Sequence, residues 1–110
     1  MPKLEIRYTK SFEEQFEKEG MHAPASLDRI QRLIESVDPH RGRVYPRLVP
    51  GKEIRQIPIG KNEGLRLIYE FILAKHKIIP VAVFQKGAYG SENDTLRKLK
   101  EKLKRIDAEI

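Results

Sequence analysis

The sequence predicts one small α+β domain, and three observations lead to this fold class. Its 110 residues suffice for one compact core and not for two. Three strand-like runs follow one another at residues 52–60, 65–73 and 77–85, and helical patterns flank them. The predicted order is β-α-α-β-β-β-α, a small antiparallel sheet with two N-terminal helices on one face and a C-terminal helix. We expect the helices to cover a single face of this sheet.

The N-terminal elements are predicted from alternation and capping. Apolar and charged residues alternate over residues 3–8, which predicts a half-buried strand. Ser11 is the predicted N-cap of the first helix, with Glu14 completing a capping box and Gly20 ending the helix. Ser26 is the predicted cap of the second helix, which carries an apolar stripe.

A loop and a strand meander are predicted next. Residues 39–52 hold three prolines and two glycines, so we expect an ordered but irregular loop. The gaps between the three strand-like runs are short enough for hairpins, which predicts an antiparallel meander. Pro58 and Pro80 interrupt two of these strands and indicate bulges or an edge position.

The C-terminal helix carries a narrow apolar stripe on a lysine-rich background. Its members recur at steps of three and four residues: Leu96, Leu99, Leu103, Ile106 and Ile110. The favoured interpretation is that this stripe packs on the body of the domain. The alternative is a docking surface for a partner or for a second copy of the chain.

Charge favours a polyanionic partner. Lys and Arg number 22 against 16 Asp and Glu, a net charge of +6. Residues 39–66 alone hold seven basic and two acidic side chains. Such a segment is typical of surfaces that bind RNA, DNA or an acidic protein segment.

Several classes of protein and site are excluded or disfavoured. The chain has no cysteine, which excludes disulfides, thiolate zinc sites and a cysteine nucleophile. Its longest apolar stretch, Ile78–Phe84, is far short of the roughly 20 residues of a membrane span. The first residues lack the apolar core of a signal peptide, so we expect a soluble cytoplasmic protein.

No common catalytic or cofactor motif is present. The sequence lacks a phosphate-binding Walker loop, a nucleophile elbow and a dinucleotide-binding glycine motif. His22, His40 and His76 fall in separate predicted loops without ligand-like spacing, so each is interpreted as a solvated turn residue. We expect neither a metal nor a cofactor.

Arginines on the predicted strands are the first candidates for chemistry. Arg66 shares strand parity with Glu70, while residues 65, 67, 69, 71 and 73 form a continuous apolar face. Arg66 is therefore expected on the more open face of the sheet. Arg55, on the neighbouring strand, is expected to bring a second guanidinium close enough to form a phosphodiester clamp. The alternative is that each arginine forms a charge pair, with Glu70 or Glu53.

Further candidates lie at the strand ends. Lys86 follows the last strand and is expected to approach a ligand on the open face. Tyr89 is placed to stack on a splayed base or, alternatively, to anchor a turn. Lys52 and Lys61, both in the basic segment, are the remaining candidates for substrate binding.

The strand motifs resemble a known family of toxins. Glu53-Ile54-Arg55, Arg66-Leu67-Ile68-Tyr69 and Phe84-Gln85-Lys86 resemble successive motifs of the RelE/ParE superfamily of toxin–antitoxin toxins. The resemblance is closest to the HigB-like branch, which is related to phage-derived proteins, and it covers most of the chain. Gly87 stands where that branch often has a second lysine.

The resemblance implies a RelE-like fold and a ribosome-dependent mRNA endoribonuclease. In such enzymes the 2′-hydroxyl of the RNA attacks the adjacent phosphate without a metal. The implied roles are Arg66 as transition-state clamp, Arg55 as phosphate binder, Lys86 as second clamp or proton donor, and Lys52 as a base of lowered pKa. The implied partners are mRNA on the ribosome and a cognate antitoxin protein.

Two alternatives stay open within the same fold. A ParE-like member would inhibit DNA gyrase, and an inactive member would only bind nucleic acid or protein. A fully buried ion pair at Arg66 would favour the binding member. The antitoxin is expected to cover the basic face, and to use the stripe of the C-terminal helix if that stripe is exposed.

Overall fold

The computed structural model of the protein describes residues 3–18, 26–45, 48–60 and 64–110. In chain order the elements are β1 (Glu5–Ile6), α1 (Lys10–Lys18), α2 (Leu27–Glu35), β2 (Arg43–Val44), β3 (Ile54–Ile59), β4 (Leu65–Ile72), β5 (Lys77–Gln85) and α3 (Glu92–Glu109). Short 3₁₀ turns at Pro39–Arg41 and Leu73–Lys75 join them. The predicted α+β class is confirmed.

The five strands form one mixed sheet in the order β1-β5-β4-β3-β2. The meander β3-β4-β5 is antiparallel, as predicted, but β1 runs parallel to β5, so a purely antiparallel sheet is wrong. β2 was not expected, because its two residues lie within the predicted loop. Arg43 pairs with Gln56 of β3 there, which fixes the loop to the edge of the sheet.

The helices cover both faces of the sheet. On the face that we call the closed face, Phe12 of α1 and Ile30 of α2 pack with Leu67 and Tyr69 of β4. On the opposite face, which we call the cleft face, α3 packs with the other parity of the strands. The members of that second core include Ile54, Ile68, Ile79, Phe84, Leu99, Leu103 and Ile106. The expectation that all helices cover one face is therefore wrong for α3.

The apolar stripe of α3 is core over most of its length. Leu99, Leu103 and Ile106 are 0%, 1% and 0% exposed, which confirms the packing interpretation. Leu96 is half-buried at the start of the stripe, and Ile110 at its end is 50% exposed. The stripe is therefore not the docking surface considered as the alternative.

Capping follows the sequence at one helix and departs from it at another. Ser26 caps α2 as predicted, because its hydroxyl accepts a hydrogen bond of 3.2 Å from the Arg29 amide. α1 is capped by Thr9, whose hydroxyl accepts from the Phe12 amide at 3.1 Å, so the Ser11 cap is wrong. The Ser11 amide instead donates to a carboxylate oxygen of Glu109 at 2.9 Å. The predicted helix end at Gly20 lies outside the described residues.

The two strand prolines occupy the irregular positions that were predicted. The pairing of β4 with β5 shifts at Ile68 and Tyr69, which face Ala82 and Pro80, and this leaves Val81 as a bulge. Pro58 lies on β3 beyond the residues that pair with β2. Within the described ranges, no helix is long and apolar enough to cross a membrane.

Candidate functional site

An open groove of about 630 Å³ lies on the cleft face, between the sheet and the start of α3. We call it the Arg66 cleft. Its apolar lining comes from Val44, Phe84 and Leu96. Its polar and charged side chains are Arg43, Tyr45, Gln56, Arg66, Lys86, Glu92 and Thr95. Three cations against one carboxylate give the cleft a net positive charge that suits an anionic ligand.

Arg66 occupies the middle of this cleft. It lies on β4 directly between Pro58 of β3 and Phe84 of β5, and it is half-buried. Among the described residues its guanidinium makes neither a hydrogen bond nor an ion pair. Arg66 points to the face opposite residues 65, 67, 69 and 71, as predicted, and none of the described residues occupies its N–H donors.

Lys86 reaches the same cleft from the end of β5. Its backbone amide donates to the Gly64 carbonyl at 3.2 Å, which extends the β4–β5 ladder by one bond. The following turn needs positive φ at Gly87 (84°) and Gly90 (91°), conformations that favour glycine. This turn carries the chain over the cleft face to Ser91, the N-cap of α3. The structure thus brings Lys86 and Arg66 together, as predicted.

The sequence analysis missed further cleft residues, among them Arg43, Tyr45, Gln56 and Glu92. Arg43 and Tyr45 reach the cleft because β2 holds the preceding loop on the sheet edge, and the Tyr45 amide donates to the Ile54 carbonyl at 2.8 Å. The Tyr45 hydroxyl donates to the side-chain oxygen of Gln56. Glu92 enters from the first turn of α3. The one signal in the sequence was the excess of basic residues in the segment 39–66, which includes Arg43.

The pKa of Tyr45 reports the electrostatics of the cleft. Burial raises the pKa of this phenol above its ordinary value of 10.0. The charges of Arg66 and Arg43 lower that pKa and the carboxylate of Glu92 raises it, so all three act on the same hydroxyl. Tyr45 is therefore a neutral hydrogen-bonding group at physiological pH.

Arg55 does not join this cleft, and its predicted proximity to Arg66 is wrong. It pairs with Tyr69 in the β3–β4 register, so it points to the closed face. Its Nη1 donates to the carbonyls of His40 and Gly42 at 2.8 and 3.1 Å. Its Nε donates to Glu53 at 2.9 Å, so the charge pair considered as the alternative is the one observed.

The contacts of Arg55 belong to a compact anchor for the segment before β2. The Tyr69 hydroxyl donates to the Pro39 carbonyl, and Gly42 packs against the same ring. A Cβ added at Gly42 would lie 2.9 Å from Cζ of Tyr69 and 3.0 Å from Cβ of Arg55. Residues 39–42 are thus fixed on the closed face immediately before the chain enters the cleft.

Lys52 is an ion-pairing residue rather than a base of lowered pKa. Its ammonium pairs with Glu70 at 3.3 Å and, more closely, with Asp107 of α3. Burial alone would lower the pKa of Lys52, but the hydrogen bonds and charges of Asp107 and Glu70 raise it above its ordinary value. Glu70 is four residues from Arg66 along β4, or about 13 Å. The expected base is therefore wrong in both pKa and position.

Tyr89 is a core residue, so the prediction that it stacks on a base is wrong. It is 3% exposed, and its ring stacks on Phe84 with centroids 4.3 Å apart. The ammonium groups of Lys98 and Lys102 lie 5.0 and 5.7 Å from its centroid. The alternative, an anchor for the turn before α3, matches this position. Lys61 lies outside the described residues.

Two histidines meet at one end of the closed face. The rings of His40 and His76 stack with centroids 5.9 Å apart, and His40 contacts Phe71 edge-on at 5.0 Å. Both histidines lie in turns, as predicted, with His40 exposed and His76 half-buried, but their stacking across separate loops was not expected. His22 lies outside the described residues. In the described part of the chain, no group of three or more His, Asp or Glu side chains could hold a metal ion.

The chain was compared with known protein families and with curated protein sequences. Neither the models of known protein families nor the curated protein sequences contain a match to the chain.

Proposed function

We propose that this protein is the toxin of a toxin–antitoxin system that cuts mRNA on the ribosome. The scissile phosphate binds in the Arg66 cleft. One observation carries the proposal: a half-buried arginine without a hydrogen bond or ion pair among the described residues, in a groove that is net positive. The planar guanidinium matches a phosphate bidentately, and partial burial without a described carboxylate partner favours such a ligand.

The cleft contains groups for each step of metal-independent RNA cleavage. The 2′-hydroxyl attacks the adjacent phosphorus, a pentavalent phosphorane forms, and the bond to the 5′-oxygen breaks. Arg66 and Lys86 stabilise the added negative charge. Glu92 is the carboxylate that accepts the 2′-hydroxyl proton, and the Lys86 ammonium donates one to the leaving oxygen. The products are a 2′,3′-cyclic phosphate and a 5′-hydroxyl end.

The open form of the cleft agrees with a ribosomal reaction. A groove of about 630 Å³ that is open to solvent cannot by itself hold a flexible strand in the attack geometry. The ribosome supplies that positioning, so the protein needs to bring only the charged groups. A ribosomal target also requires the protein to act in the cytoplasm.

Neutralisation follows from the same surface. An antitoxin segment rich in Asp and Glu would compete with RNA for Arg43, Arg66 and Lys86, because one basic cleft cannot bind both at once. Since Leu99, Leu103 and Ile106 are buried, such a partner binds over the cleft and not on the stripe of α3.

The test is primer extension on a reporter mRNA in a translating extract. Wild-type protein is expected to create new 5′ ends within translated codons, and Arg66→Ala is expected to remove them. Arg32→Ala is the matched control, because Arg32 is exposed on α2, on the other side of the sheet. Intact mRNA together with inhibited gyrase supercoiling would assign the ParE-like activity. Intact mRNA with normal gyrase would assign a member that only binds.

A further inference from the structure

A second groove adjoins the Arg66 cleft along the exposed flank of α3. It has a volume of about 430 Å³, and Leu96 lines both grooves. Its basic residues are Arg97, Lys100 and Lys104, which we call the α3 track. Leu96 therefore borders both grooves, which makes them neighbours on the same side of α3.

The helix geometry aligns the track in a row. Arg97, Lys100 and Lys104 are spaced by three and four residues, so neighbouring side chains lie about 5–6 Å apart at Cβ. From Leu96 to Lys104 the helix rises about 12 Å. The buried positions Leu99 and Leu103 fix this row on the outside of α3.

The track is available to an anion. Among the described residues, Lys100 and Lys104 make neither a hydrogen bond nor an ion pair. Arg97 pairs with Asp94 at 2.8 Å, but both side chains are exposed, at 70% and 44%, and exposed pairs exchange readily. Glu101 is the acidic residue of this groove, so the track remains net positive.

The positive charge of the α3 track ends at Lys104. Beyond Lys104 on the same flank, Asp107 is already paired with Lys52. The positive surface thus runs from Lys86 and Arg66, past Leu96, to Lys104. Its length exceeds what one phosphate in the cleft would need.

We propose that the α3 track binds the single-stranded RNA that leaves the Arg66 cleft, through two or three consecutive backbone phosphates. This inference rests on the proposed function for the choice of RNA. A flexible single strand fits the bend from the cleft onto the helix flank, which a stiff duplex cannot follow. Phosphate contacts of this kind position the strand and do not read its sequence.

The experiment compares binding of two uncleavable 2′-O-methyl RNA oligomers, of about 4 and about 12 nucleotides, by fluorescence anisotropy. The track variant is Lys100→Gln/Lys104→Gln. The matched control is Lys75→Gln/Arg105→Gln, which removes the same charge from an exposed turn and from the other flank of α3. Circular dichroism melts verify that both variants are folded.

The salt dependence of binding separates the track from general charge. Each single-strand phosphate contact contributes about 0.7 to the slope of log affinity against log salt, so the track variant loses about 1.4 with the longer oligomer. Between 50 and 200 mM salt, wild type then loses about sevenfold more affinity than the track variant. The control variant is expected to keep the wild-type slope. With the short oligomer, all three proteins are expected to have nearly the same slope. If the track and control variants lose the same slope with the longer oligomer, the proposal that the α3 track binds RNA is wrong.

Cleavage measured in parallel keeps the two proposals apart. If wild type binds the longer oligomer through the track but cuts no translated mRNA, the track stands and the endoribonuclease fails. If wild type cuts mRNA and the track variant binds both oligomers like wild type, the track fails and the endoribonuclease stands. Track-dependent binding of a poly-glutamate peptide with no binding of either RNA would overturn the RNA assignment.

Discussion

The two faces of the sheet use the same residue type in opposite ways. Arg55 on β3 and Arg66 on β4 belong to neighbouring strands, yet they point to opposite faces because of their register. Arg55 has donors bound to two carbonyls and a carboxylate, and its guanidinium lies 5.5 Å above the ring of Phe71. Arg66 has no such partners among the described residues. A guanidinium can bind a ligand only with the N–H donors that do not already form hydrogen bonds within the protein.

The closed face nevertheless supports the cleft. Arg55 and Tyr69 hold the backbone of residues 39–42, and the next residues deliver Arg43 and Tyr45 to the opposite face. A residue on one side of the sheet is therefore a positioning residue for a site on the other side. The following predictions test this division, from the largest expected effect to the smallest.

The largest effect concerns how α3 is held on the cleft face. Leu99→Ser/Leu103→Ser removes two fully buried side chains at about 2–5 kcal/mol each, and the total of about 4–10 kcal/mol is comparable with the whole stability of a small domain. We expect loss of the cooperative melt by circular dichroism. Leu73→Ser is the control, because Leu73 is 62% exposed. A folded double variant would mean that α3 is not core.

The second effect isolates the chemistry of the cleft. Arg66→Ala is expected to reduce cleavage about 100–1000-fold, the usual cost of removing a well-placed transition-state donor. Its melting temperature should stay close to wild type, because none of the described residues forms a hydrogen bond or an ion pair with Arg66. Arg66→Lys keeps the charge but not the planar fork, so its rate should lie between the two. A collapsed melt for Arg66→Ala would make Arg66 structural.

The third effect concerns Arg55, which holds the backbone before Arg43 from the closed face. Arg55→Ala removes hydrogen bonds from a side chain that is only 17% exposed, and we expect a loss of about 1.5–3 kcal/mol of unfolding free energy in urea. Cleavage should fall as well, because the backbone before Arg43 loosens. Arg55→Ala is thus expected to lower both stability and cleavage, whereas Arg66→Ala is expected to lower cleavage alone. Wild-type stability with reduced cleavage would instead make Arg55 a direct phosphate binder.

The smallest effect is a loss of stability at alkaline pH. Burial raises the pKa of Tyr69 to about 12 from 10.0, so the folded state favours the neutral phenol. Its contribution is fully present below pH 10 and is lost as the pH rises through about 12. Tyr8 also has a pKa raised to about 12, so Tyr69→Phe should reduce, not abolish, this slope. Urea unfolding between pH 9 and about 11 measures it, and an unchanged slope would contradict the Tyr69 assignment.

Several features were readable from local pattern alone. The antiparallel meander, the Ser26 cap and the open orientation of Arg66 follow from alternation and turn residues, which act over a few positions. The bulge beside Pro80 was signalled by a missing amide in an otherwise regular strand. These elements depend on neighbours in sequence, so a single sequence suffices.

The errors share one physical cause, because each depends on contacts between distant segments. Strand parity gives the face of Arg66 relative to its own strand, but the face of Arg55 depends on the register between two strands. Thr9 caps α1 in place of Ser11, whose amide is instead bound by the Glu109 carboxylate, 98 residues along the chain. Tyr89 and Lys52 are likewise fixed by α3, whose face was not predictable from its periodicity.

The close packing at Gly42 has a consequence for how this protein can vary. Gly42 has an ordinary φ of −64°, so the backbone alone would accept any residue, and the space beside Tyr69 is what excludes a side chain. Random mutagenesis under selection for loss of the proposed toxicity should therefore recover substitutions at position 42, including conditional ones that are active only at low temperature. Arg43 and Tyr45 line the Arg66 cleft instead, so substitutions there change the cleft while the packing at Gly42 stays intact.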